Sequence, residues 1–114
     1  MNEMDVADVM ATIPEEIKAK YPRPGYLRPP VDEEIMCLQG VFVPDHNPQR
    51  EYWKGFEVIE WSDGTRELRV CYWTRERGTK KWRWGQYNTI ISLEKLKLLI
   101  AIIERTDDLM ALGA

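Results

Sequence analysis

The sequence predicts an α+β fold: a curved antiparallel sheet of four strands followed by a C-terminal helix, with an N-terminal helix and a Pro-rich arm ahead of it. Three observations carry this. Four segments rich in β-branched and aromatic residues follow one another between positions 35 and 91, and turn-forming residues separate them. The third of these segments alternates with a period of two, as a strand with two distinct faces does. After Ser92 the apolar spacing changes to three and four, the period of a helix.

Taking the elements in order, Thr12 and Glu15 have the Thr-x-x-Glu spacing of a capping box, which predicts a short helix from Ile13 to about Lys20 with Pro14 in its first turn. Residues Tyr21 to Pro30 contain four prolines and a glycine, which argue against helix and sheet interior and predict an extended, stiff connector. The chain is therefore divided into 1–34, helix and arm, and 35–114, the ββββα domain. Ile35 to Val43, ended by Pro44, is the first predicted strand, and Tyr52 to Trp61 is the second. Ser62 to Thr65 is a turn returning the chain into a third strand, Glu67 to Arg75, and Trp82 to Ile91 is the fourth. On the third strand Leu68, Val70 and Tyr72 share one face and Arg69, Cys71, Trp73 and Arg75 the other, an alternation that suits one covered and one working face.

Ser92 is a good N-cap and Glu94 complements the first-turn dipole, so a helix is expected from Leu93 to at least Arg105. Leu93, Leu96, Leu99, Ile100 and Ile103 form a stripe to cover the sheet, while Leu98 and Ile102 lie on another side. A second copy of the chain packed through Leu98 and Ile102 would bury them, which predicts a symmetric homodimer; cover by the N-terminal arm is the alternative.

Of 114 residues, 44% are apolar and 31% charged, an ordinary globular composition for one domain. The start is acidic rather than basic and no apolar run reaches membrane-spanning length, so the expectation is a cytoplasmic protein, nucleoid-associated in a prokaryote, with no membrane partner. Cys37 and Cys71 lie in apolar runs and read as buried free thiols. His46 is the sole histidine, which excludes His pairs, a multi-histidine metal site and a Ser-His-Asp arrangement. Glu51 and Lys54 have the wrong spacing for a nuclease carboxylate-lysine motif, and no Gly-rich phosphate loop is present. Neither catalysis nor a metal or other cofactor is expected.

The net charge is -3, but its distribution is uneven: residues 1–49 carry four basic and nine acidic side chains, residues 50–97 eleven and seven. Arg66 to Arg83 alone holds seven basic and two acidic residues, interleaved with Tyr72, Trp73 and Trp82 and followed by Trp84. Rings for base stacking set among cations for phosphates are what a sequence-tolerant single-strand binder requires. The expected partner is single-stranded DNA or RNA, with Trp73, Trp84 and Trp82 as platforms and Arg69, Arg75, Lys80, Lys81 and Arg83 as phosphate contacts. The alternative is a protein-interaction module using the same aromatic and arginine surface as a hot-spot patch.

Two stretches, LRVCYW from Leu68 to Trp73 and IISLEKLKLL from Ile90 to Leu99, resemble the C-terminal domain of the transcriptional coactivator positive cofactor four and the related Whirly proteins. The resemblance covers about Tyr52 to Glu104. It implies a dimer whose curved sheets bind single-stranded DNA, with Trp73 at the family's stacking position. The family's basic segment before Ile-Ser-Leu is here Gly85 to Thr89, and the basic residues come earlier, at Lys80, Lys81 and Arg83. The Trp-rich sheet with an N-terminal helix and arm is also similar to ThermoDBP, a single-stranded DNA-binding protein of hyperthermophilic archaea.

Overall fold

A computed structural model of the chain describes residues 12–86 and 90–105. It is an α+β fold built on a curled antiparallel sheet with a C-terminal helix, but the sheet has five strands rather than four, in the order β1-β2-β3-β4-β5. Tyr87 and its neighbours in the expected fourth strand, and the residues before Thr12, lie outside the described residues.

The first helix is shorter than its capping-box spacing suggests. Helix α1 spans Glu15–Lys18, Pro14 occupies the N-cap, and no side chain caps it. Ile17 is the one buried residue of α1 and anchors it to the sheet.

The extra strand comes from the arm. Arg23–Leu27, β1, pairs antiparallel with the start of β2 (Glu33–Pro44), Arg23 opposite Cys37 and Leu27 opposite Glu33. Proline lacks a ladder donor, and an edge strand tolerates that where a central one does not, so Pro24 can sit in β1. The boundary set at residue 34 thus falls inside a hairpin.

Strand β2 continues beyond the end of β1, takes a bulge between Cys37 and Gln39, and pairs with β3 (Arg50–Glu60). Strands β3 and β4 (Arg66–Glu76) form the long hairpin expected from the Asp63-Gly64 turn, in unbroken register from Glu60 opposite Arg66 to Arg50 opposite Glu76. Asp63 accepts the Thr65 N–H at 2.9 Å, and Gly64 has φ +88°, which a side chain would strain. Strand β5 is only Arg83–Gly85, paired with Tyr72 to Thr74 of β4.

Facing pairs in this register share a side, so the two sides of the sheet can be read directly. On one, Phe42, Trp53, Cys71 and Trp73 pack with Ile17 of α1 and with Trp82. On the other, Val41, Val43 and Val58 pack with Leu99 and Ile102 of helix α2, Leu93–Arg105. The expected sides of β4 are therefore exchanged: Cys71 and Trp73 are 0% and 4% exposed, whereas Leu68 and Val70 are 40% and 46% exposed.

The two expected stripes of α2 mix on the sheet: Leu99 and Ile103 pack there as expected, but Leu98 and Ile102 join them. Ile102 is 2% exposed and, with the partly buried Leu98, belongs to the chain's own core, so it is not available as a seam for a second copy; Leu93 and Ile100 point outward. The cause is Lys95. Positions 95, 98, 99 and 102 make one helical face, and Lys95 fits it because its ammonium leaves the apolar contact to bond the Pro44 carbonyl and Asp45, each at 2.7 Å. The Ser92 hydroxyl accepts the Lys95 N–H at 3.2 Å, so the expected cap is present. Among the described residues no helix is long and apolar enough to cross a membrane.

Candidate nucleic-acid interface

The residues expected to form one working face divide into an inner and an outer group. The inner group surrounds Glu57, which is 0% exposed. Its carboxylate accepts hydrogen bonds from the Tyr21 hydroxyl (2.6 Å), from Arg23 Nη2 (3.2 Å), and from Arg69 Nε and Nη2 (3.0 and 2.6 Å). Trp73 Nε1 donates to the Tyr21 oxygen at 3.1 Å. Burial, then the Glu57 charge, pushes the Tyr21 phenol far up, so it remains a donor. Burial and Glu57 also raise both cysteines, Cys71 far above the usual thiol range, so neither is a thiolate. Burial works to lower Arg23, but the charge and hydrogen bond of Glu57, together with Cys37 and Tyr21, outweigh it and the net shift is upward.

The rings of this group already hold cations of the same chain. The Arg23 guanidinium lies 5.5 Å from the Trp73 ring centroid and 5.6 Å from that of Trp84, and Arg69 lies 4.7 Å from Trp84. Trp73, at the position the resemblance gives to a stacking tryptophan, is thus enclosed. Trp82 is 6% exposed and stacks under Arg75 at 4.4 Å. Trp84 is half-buried.

The outer group sits at the end of the sheet where β3 begins and β4 ends. Two adjoining clefts share Thr79 and Lys81 there. One is completed by Arg50, Arg75, Glu76 and Arg83, the other by Glu16, Lys20, Lys80 and Trp82. Six cations therefore face two carboxylates. Lys20, Lys80, Lys81 and Arg83 have no carboxylate partner among the described residues; Arg75 pairs with Glu51 at 2.5 Å and Arg50 with Glu76 at 3.6 Å. Arg75 in turn holds the Glu51 carboxyl below its usual range.

The side of the sheet bearing α2 is covered over β2 and part of β3 and is open beyond it. There Tyr52 and Tyr72, half-buried, meet edge to face with centroids 6.0 Å apart. Tyr52 is opposite Thr74 and Gly85 opposite Tyr72, while Arg83 faces Thr74 from β5, so these rings share a side with Arg83 and Arg50. A Cβ at Gly85 would run into the Tyr72 ring; the glycine lets that ring lie across β5.

Of the expected contacts, Lys80, Lys81, Arg83 and Arg75 come together; Arg69 and the three tryptophans do not present free faces beside them. Arg50, Lys20, Tyr52 and Tyr72 join the site from elsewhere. Tyr72 was visible in the alternation of β4, but on the side expected to be covered. No family model, curated protein or solved structure matches this chain.

Proposed function

We propose that the chain binds single-stranded nucleic acid without catalysis, holding phosphates in the basic clefts at the end of β4 and β5 and stacking a base on Tyr72. The observation that carries this reading is the gathering of unpaired cations. Seven described cations lack a carboxylate partner, and four of them, Lys20, Lys80, Lys81 and Arg83, line these two clefts of a chain whose net charge is -3. Unpaired cations concentrated at one end attract a polyanion. On the adjacent open face the half-buried Tyr72 supplies a surface on which an unstacked base can lie, whereas the Tyr52 ring beside it holds the Lys54 ammonium 5.1 Å from its centroid.

A titration with oligo(dT), oligo(U) and duplex at one salt concentration tests it. Single strands are expected to bind more tightly than duplex, and Tyr72→Ala is expected to cost about 1 to 3 kcal/mol of single-strand binding, the usual worth of one stacked base. Equal affinity for duplex, or an unchanged affinity in Tyr72→Ala, removes stacking from the mechanism. A protein-interaction role for the same face is the second reading, favoured by Val70 and Leu68, whose exposure leaves apolar area beside Tyr72. Such binding would persist at high salt, where phosphate contacts weaken.

A further inference from the structure

The smaller of the two clefts gathers enough charge to hold an anionic group carrying more than one negative charge. Its volume is about 190 Å³. A cleft of this size, open to solvent, admits a tetrahedral anion with some hydration.

Its cations converge from four parts of the chain: Arg50 from β3, Arg75 from β4, Lys81 from the loop and Arg83 from β5. Two are held in place. Arg50 Nε donates to Thr74 Oγ1 at 3.2 Å; Arg75 Nε donates to Glu51 Oε2, and its guanidinium lies 4.4 Å from the Trp82 ring centroid. Each is therefore anchored through Nε, leaving as donors the terminal nitrogens of Arg75 and Nη2 of Arg50, whose Nη1 lies 3.6 Å from Glu76. Arg83 and Lys81 bring charge with no carboxylate partner. Against the four cations stand Glu51, on the far side of Arg75, and Glu76, which lines the cleft at 3.6 Å from Arg50 with its side chain 70% exposed. The balance is near +2. A phosphodiester carries one negative charge, whereas a phosphate monoester carries about 1.5 to 2 at neutral pH and offers three acceptor oxygens.

We propose that this cleft is a subsite for a phosphate monoester, the terminal phosphate of a nucleic-acid strand, so that the chain holds single strands preferentially by a phosphorylated end. This rests on the single-strand reading above. The test is a comparison of oligo(dT) bearing a 5′-phosphate, a 3′-phosphate or hydroxyls at both ends, with inorganic phosphate as a separate probe of intrinsic tryptophan fluorescence.

One phosphorylated strand is expected to bind on the order of tenfold more tightly than the unphosphorylated one, the worth of a charged hydrogen-bonded contact. That preference is lost in Arg83→Ala and increased in Glu76→Gln, a gain that misfolding cannot imitate. It also shrinks as the pH falls below about 6, where the monoester loses its second charge.

Equal binding of the three strands overturns the subsite and leaves the single-strand reading standing. A preference retained in Arg83→Ala overturns the subsite too. If no strand binds but inorganic phosphate changes the fluorescence of the unmodified chain and not of Arg83→Ala, the cleft takes a free phosphate monoester and the strand-end assignment falls with the nucleic-acid reading. If neither binds, both fall.

Discussion

Glu57 shows how one residue decides the use of its neighbours. A carboxylate with no solvent exposure must receive donors from within the chain, and it draws Tyr21, Arg23 and Arg69 onto one side of the sheet. Those donors then lie against Trp73 and Trp84, closing that side. Glu57→Gln keeps the shape but leaves two largely buried guanidiniums without their charge partner. Its expected cost is about 3 to 5 kcal/mol, the usual loss when one partner of a buried ion pair is removed, read as a lower urea midpoint at unchanged slope. Trp73→Ala should cost a similar amount, about 3 to 5 kcal/mol, as an enclosed ring does. A Trp73→Ala chain as stable as the unmodified one would mean that the ring is not core. The interleaving of rings and basic residues from Arg66 to Trp84 was visible in the sequence; that Arg23 and Arg69 saturate the rings was not, because Arg23 comes from a strand far away in the chain.

At the level of elements, α2 is tied to the sheet by one carboxyl group. Asp45 accepts from Lys54 of β3 at 2.8 Å and from Lys95 of α2 at 2.7 Å. Burial works to raise the Asp45 carboxyl, and its two lysine bonds overcome that, leaving it below the usual carboxylate range. A group whose folded pKa is depressed contributes stability that is complete above its unfolded value, about 3.9, and is lost as the pH falls through the folded value. Stability should therefore decline below about pH 4, and Asp45→Asn should lower the melting temperature at pH 6 while narrowing its difference from the unmodified chain at pH 3. A constant difference at both pH values would exclude this link. The β3-β4 hairpin and the Ser92 cap were legible because their signals are local: an Asp-Gly turn and one hydroxyl. The sheet-facing stripe of α2 was legible only in part: Leu99 was placed on it, but Leu98 and Ile102 were not, since a lysine at 95 looks polar until Asp45 and the Pro44 carbonyl are brought beneath it. Strand β1 was missed for a similar reason, prolines being poor strand residues except at an edge.

Across the molecule, eight ion pairs among the described residues engage eight Lys and Arg side chains, and the seven described cations left without a carboxylate partner are what a ligand meets first. The concentration of basic residues after position 50 was readable directly, and Lys80, Lys81 and Arg83 belong to it. Their grouping with Lys20 and Arg50 depends on α1 and the start of β3 lying against the same loop, which no local pattern announces. This sorting of paired from unpaired cations makes a quantitative prediction. Each phosphate contact to a single strand contributes about 0.7 to the slope of log affinity against log salt. Lys81→Ala or Arg83→Ala should therefore reduce that slope by up to about 0.7 and weaken binding across all base compositions. Arg66→Ala, whose guanidinium is engaged with Glu60 at 3.0 Å at the opposite end of the hairpin, should leave the slope unchanged. Slopes measured between low and moderate salt for the three variants decide it. Equal reductions in all three would mean that the ligand responds to net charge alone, and the clefts would lose their role as the place where phosphates are held.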